Sequence, residues 1–343
     1  MTQAHSLLLA GLIAAAQLLP SLSQATEASQ HANAAYGAEL EGAAYPFPLR
    51  RFDFSSQQQS LHMAYMDVRP VKPSGQTAVL LHGKNFCSAS WRDTIRDMSA
   101  EGYRVIAIDQ IGFCKSSKPA HYQYTFQQLA DNTRRLLQSI GVGSYALIGH
   151  STGGMLAARY ALMYPREVGK LVLVDPVGLE DWKAKGVPAQ TVDQWYAKDL
   201  RTSAEGIRKY EQAVYYNGQW DPRFEPWVRM LAGLYLGPGK ERVAWNSALI
   251  FDMIYTQPVI YELGKLQPPT LLMIGDKDST AIGLDVSPPE VRASLGHYPE
   301  LARDAVRRIP HAALIEFPAM GHAPQIQDPK AFDDALLGWL SSN

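Results

Sequence analysis

Six short apolar runs, "TAVLLHG", "YRVIAIDQIG", "YALIGHS", "KLVLVDP", "PTLLMIGDKD" and "ALIEFP", set the tightest limit on how this chain can fold. Each is rich in Val, Ile and Leu without polar alternation, the pattern of strands buried on both faces. Helical stretches separate the first four: "WRDTIRDMSAEG", "TFQQLADNTRRLLQSIGV" and "GGMLAARYALMYP". A last one, "DPKAFDDALLGWLSS", opens on an Asp N-cap with Pro in its first turn. Such alternation predicts a mostly parallel sheet with helices on both faces, an α/β fold. Two earlier segments, "LRRFDFSS" from Leu49 and "LHMAYMDVRP" from Leu61, alternate in polarity. They predict an antiparallel pair at one edge, which brings the sheet to eight strands.

The rhythm breaks once. From about Val177 to Lys265 there is no strand pattern but many aromatic residues, among them Trp182, Trp195, Tyr215, Tyr216, Trp220 and Trp227. The stretch is too long for a plain connection. It predicts a helical lid over 177–265, inserted between core segments 49–176 and 266–343.

The first 48 residues read differently. "SLLLAGLIAAAQLL" is apolar but short for a bilayer span, and Ser23 and Ala25 are small residues placed for cleavage after Ala25. Residues 1–25 are expected to be a signal peptide, although the segment before the apolar run has no Lys or Arg; a retained anchor is the alternative. Residues 26–48 read as a flexible lead-in. The folded part is therefore expected in the periplasm or secreted, with no stable membrane span after processing. The chain has 343 residues and a formal charge of −1. That balance argues against nucleic acid or an anionic membrane surface as the main partner.

One segment carries chemistry. "Gly149-His150-Ser151-Thr152-Gly153-Gly154" interrupts an apolar strand and a small-residue helix. A serine attacks a carbonyl when its oxygen is exposed on a sharp strand-to-helix turn with a base beside it. Glycine two residues away on each side lets strand and helix approach that closely. Of nine histidines, His322 falls between the last strand and the last helix. Loops at the carboxyl ends of parallel strands gather at one rim, so His322 and Ser151 are expected to meet there. His82 and His150 directly follow their strands and are expected to brace loops. The acid that orients His322 is expected from Asp276 or Asp278 after "LLMIG", with Asp175 a third candidate; the residues alone do not choose between the first two. Thr152, following the serine, and Lys84 or Asn85, in the loop after "TAVLL", are expected to give the backbone N–H groups of an oxyanion hole. No clustered metal-ligand spacing is present, and no cofactor is expected.

Taken together, "LLHGKNF", "DQIGFCKSSKP", "GHSTGG", "GDKD" and "GHAPQIQDP" resemble, in order, the motifs of the α/β-hydrolase fold family. The lid-bearing serine branch, with its esterases, lactonases and meta-cleavage-product hydrolases, is the nearest. The resemblance runs from about Leu49 to the C-terminus. It implies Ser151 as nucleophile, His322 as base, and Asp278 as acid by the Gly-x-x-Asp spacing. It also implies that Asp109 braces a loop. Serine at the elbow departs from members that use Asp there, and "HGKN" departs from the proline iminopeptidase motif. Lys84 is unusual in that loop; it either meets an acidic substrate group or points outward. In this fold Cys87 and Cys114 lie in neighbouring loops, which implies a disulfide between them. The function implied is hydrolysis of a small, mainly apolar carboxylic ester or lactone through an acyl-enzyme. The alternatives are C–C bond hydrolysis with the same triad, or a small-molecule receptor with little turnover.

Overall fold

The computed structural model describes Met1 and residues 34–342. The expected signal peptide and the start of the lead-in lie outside the described residues. Eight strands form one sheet: β1 (Leu49–Ser56), β2 (Gln59–Val68), β3 (Thr77–Leu81), β4 (Arg104–Ile108), β5 (Tyr145–His150), β6 (Val168–Val174), β7 (Thr270–Gly275) and β8 (Ala312–Phe317). Their order is β1-β2-β4-β3-β5-β6-β7-β8. β1 and β2 pair antiparallel, β2 pairs antiparallel with β4, and every later pairing is parallel. The predicted α/β architecture is the observed one.

Strand alternation divides the core into two layers. Val79, Leu81, Ile106, Ile108, Leu147 and Leu173 face one way and belong to the larger cluster. Ala78, Leu80, Val105, Ala107, Ile148 and Val174 face the other. Helix α1 (Arg92–Ala100) covers the second face through Ile95 and Met98, together with the C-terminal helix. Helices α2 (Phe126–Ser139) and α3 (Thr152–Met163) cover the first. Thr125 caps α2, its hydroxyl accepting the Gln128 N–H at 3.0 Å. β8 is only half-buried along most of its length, because as an edge strand it lacks a neighbour on one side.

Between β6 and β7 lie α4 (Val192–Asp199), α5 (Ala204–Tyr210), a π-helical turn (Glu211–Tyr215), α6 (Glu225–Leu236) and α7 (Lys240–Thr256). The aromatic residues of this segment pack on one another: Trp195 stacks on Phe251 at 4.6 Å, and Tyr216 on Phe224 at 3.8 Å. Beyond β7 come α8 (Tyr298–Arg308) and the C-terminal α9 (Pro329–Ser342). From Ala35 onward the chain is one compact unit.

The lead-in differs from expectation over 35–48. Leu40 is fully buried. The Tyr36 N–H donates to Gly233 O of α6 at 2.9 Å, Lys115 Nζ donates to Leu40 O at 2.7 Å, and Tyr45 Oη donates to Asp109 Oδ2 at 2.6 Å. This stretch is irregular but fastened, since one leucine and two tyrosines anchor it without any periodic pattern.

Candidate active site

The site is built where β5 turns into α3. Ser151 holds φ 56° and ψ −119°, a left-handed placement that non-glycine residues seldom keep. It is fixed by its N–H, which donates to Val174 O at 3.0 Å, and by its carbonyl, which accepts from Gly154, Met155 and Val177. The two flanking glycines are required by contact. A Cβ on Gly149 would strike Gly153 O, and one on Gly153 would strike Leu81 O.

Three side chains from three loops form one hydrogen-bonded series. His322 Nε2 lies 2.8 Å from Ser151 Oγ, and His322 Nδ1 lies 2.7 Å from Asp278 Oδ2. Asp278 Oδ1 accepts the Thr280 N–H at 2.8 Å. All three residues are buried. Asp276, two residues earlier, faces elsewhere: its Oδ1 accepts the Ala319 N–H at 2.7 Å. Asp175 reaches the same spot from β6, with one ligand atom each of Asp175, Asp278 and His322 lying within 4.8 Å of one another. This grouping offers a metal little, because both nitrogens of His322 are already engaged by Asp278 and Ser151.

Supporting histidines brace the loops. His150 Nε2 donates to His322 O at 2.7 Å, and burial holds its pKa well below 6.5, so the ring is neutral. His82 Nδ1 donates to Gly83 O at 2.8 Å while Nε2 accepts the Gln110 N–H at 3.2 Å. Asp109 is fully buried and accepts N–H groups from Ser88 and Lys115 besides the Tyr45 hydroxyl.

The loop after β3 abuts the serine. A Cβ on Gly83 would come within 3.0 Å of Ser151 Cβ and 2.9 Å of His150 Nδ1. Among the described residues, no protein acceptor takes the backbone N–H of Lys84, Asn85 or Thr152. The Lys84 side chain turns inward, under the lid. Its Nζ donates to Ser247 Oγ of α7 at 2.6 Å and lies 3.6 Å from the centroid of Phe251. Burial lowers its pKa. Asn85 Nδ2 donates to Tyr215 Oη at 2.8 Å, and the Tyr215 ring lies 5.0 Å from His322. The π-turn of the lid thus roofs the histidine, with Val214 O accepting the His322 N–H at 3.3 Å. Sequence reasoning missed Tyr215 and Ser247, whose contacts depend on lid docking. A small cavity of about 40 Å³, opening into a wider cleft, borders the Lys84–Asn85 turn beneath Trp227, Met230, Leu234 and Ile250; no triad residue lines it. Cys87 and Cys114 are joined by a disulfide in its wall, with Cα atoms 5.7 Å apart.

An eight-stranded sheet of this order, with a serine on the turn after β5, defines an α/β-hydrolase. The chain belongs to the α/β-hydrolase fold family, whose model matches residues 79–329. It is 30% identical over 279 residues to Lipase 3 of Moraxella sp. (strain TA144), covering 77% of this chain and 79% of that one. It is 27% identical over 230 residues to the cis-3-alkyl-4-alkyloxetan-2-one decarboxylase of Xanthomonas campestris pv. campestris, covering 59% and 73%. A solved structure, a probable hydrolytic enzyme from Pseudomonas aeruginosa PAO1, superposes with a TM-score of 0.89 at 61% identity, covering 90% and 98%. The protein is an enzyme, a hydrolase with lipase-like relatives.

Proposed function

We propose that this hydrolase cleaves a carboxylic ester or lactone with a mainly apolar body, through an acyl-enzyme on Ser151. His322 Nε2 accepts the Ser151 proton as Oγ attacks the carbonyl carbon. The oxyanion is met by the Thr152 N–H, at the start of α3, and by the Lys84 or Asn85 N–H. His322 then returns its proton to the leaving alkoxide. In the second half a water, deprotonated by His322, releases the acid and restores Ser151. Asp278 holds Nδ1–H throughout, fixing the tautomer that leaves Nε2 free to accept.

The observation that carries this reading is the unbroken Ser151–His322–Asp278 series. The mainly apolar residues beside the Lys84–Asn85 turn, Trp227, Met230, Leu234 and Ile250 among them, and the lipase among the relatives support an ester substrate. The disulfide supports a working place in an oxidising compartment, periplasmic or extracellular. The test is hydrolysis of p-nitrophenyl acetate and butyrate by wild type and Ser151→Ala, with a fluorophosphonate probe and peptide mapping. Turnover that falls by about 10⁴ or more in the variant, with the label on Ser151, supports the proposal. Ligand-induced stabilisation without any turnover would make the protein a receptor instead.

A further inference from the structure

A second carboxyl stands behind Asp278. Asp175 directly follows β6 as Asp278 follows β7, and these strands are parallel neighbours, so both acids arrive at one rim. Asp175 is fully buried and held at φ 39°, again in the left-handed region. Its Oδ1 accepts the Gly275 N–H at 2.9 Å, whereas no donor reaches its Oδ2. Among the described residues no lysine, arginine or histidine forms an ion pair with it. An orphaned carboxylate oxygen in a dry interior is expensive, and a second anion beside Asp278 more so. One arrangement removes both difficulties.

We propose that Asp175 is kept as the neutral acid and donates its O–H to the Asp278 carboxylate, making it a positioning residue for the His322–Asp278 pair. Burial and the charge of Asp278 both push its carboxyl well above the usual 3.8. The other titratable groups around the pair are His322, Tyr298 of α8, Tyr210 of α5 and His150 behind His322. Burial raises both tyrosines and lowers His150, so these three are neutral. The donated hydrogen bond draws electron density from Asp278 and fixes the oxygen that faces Nδ1. Asp278 is thereby a weaker base, and the imidazolium formed during reaction is held less tightly than by a bare carboxylate.

This inference rests on the proposed roles of Ser151 and His322, and the test separates the two. Failure of the probe to label wild-type Ser151 defeats the functional reading and leaves the infrared measurement below unaffected. With active enzyme, the acid limb of the kcat/KM profile is compared in wild type, Asp175→Asn and Asp175→Ala. Asparagine still offers a donor to Asp278 and an acceptor to the Gly275 N–H. The limb is expected to stay in place in Asp175→Asn. In Asp175→Ala it should move to higher pH, with kcat about 10-fold lower and KM little changed. Movement to lower pH in both variants would mean that a negative charge was removed, and would overturn the proposal. No movement in either would reduce Asp175 to packing. Should Asp175→Ala fail to fold, the infrared C=O stretch of a protonated carboxyl decides. Its loss in Asp175→Asn supports the neutral acid, and an unchanged spectrum refutes it.

Discussion

At the scale of single residues, the geometry around Ser151 leaves little room for change. Gly153 packs on the Leu81 carbonyl, so Gly153→Ala must push α3 away from β3. The expected loss is roughly 2–3 kcal/mol by chemical denaturation, with slower labelling of Ser151 by the probe. Asp278→Asn keeps the shape but offers Nδ1 an amide. Its expected effect is a kcat lower by about 10³–10⁴ at nearly constant KM, measured on p-nitrophenyl butyrate. A larger effect on KM than on kcat would show that Asp278 holds substrate rather than His322. Ser151 and His322 were legible because each obeys a positional rule: glycines two residues either side for one, the loop after the last strand for the other. Asp276 and Asp278 were not separable on residues alone, since both leave the same strand. What separates them is a backbone turn, in which the Asp278 N–H donates to Gly275 O at 3.0 Å while Asp276 takes the Ala319 N–H. The direction of Lys84 was equally hidden, because a lysine stem lies along apolar surface whichever way its ammonium goes.

Among the elements, the π-turn at Glu211–Tyr215 carries a buried carboxyl without a partner. Glu211 is fully buried and neither carboxylate oxygen has a hydrogen-bond partner. Burial, helped by Glu225, pushes its carboxyl from 4.5 up to about 8. The native state therefore keeps a proton that the unfolded chain gives up above 4.5. The contribution of Glu211 to stability is fully present below 4.5, declines as pH rises toward about 8, and levels off beyond. Glu211→Gln should flatten that decline, read as the dependence of thermal midpoint on pH. An unaltered slope would show that Glu211 is ionised in the folded protein. Nothing in "EQAVYY" announces a π-turn, because such single-turn bulges carry no periodic pattern of their own. The β1–β2 pair was legible from its alternating polarity, but its turn was not. Its turn residues Gln57 and Gln58 both have positive φ, yet neither is the Gly or Asn that marks such turns. The disulfide is an element of another kind, closing a loop across 27 positions. Its reduction should lower stability by roughly 3 kcal/mol, seen as a lower thermal midpoint with reductant or in Cys87→Ser/Cys114→Ser.

Over the whole molecule, the alternation of strands and helices was legible because burial on both faces writes itself into unbroken apolar runs. The strap of residues 35–48 was not, because a single buried leucine has no period. Yet the strap touches three separately built parts. It meets lid helix α6 through Tyr36, the loop after β4 through Lys115 and Asp109, and β2 through the Glu39–His62 pair at 3.3 Å. Leu40 is the one fully buried hydrophobic residue of that strap. Leu40→Ala should therefore cost about 2–5 kcal/mol, the range for emptying a closed apolar site. It should also act at a distance. With the strap loosened, α6 loses its tether at Gly233, and the cavity beneath Trp227 and Met230 becomes easier to open. The expected signature is early proteolytic cutting within 35–48, together with a rise in KM for long-chain esters that exceeds the change for acetate. A stability loss with neither early cutting nor a chain-length-dependent KM would show that Leu40 only fills space, and that the lid is held by its own contacts with the β3 loop and His322.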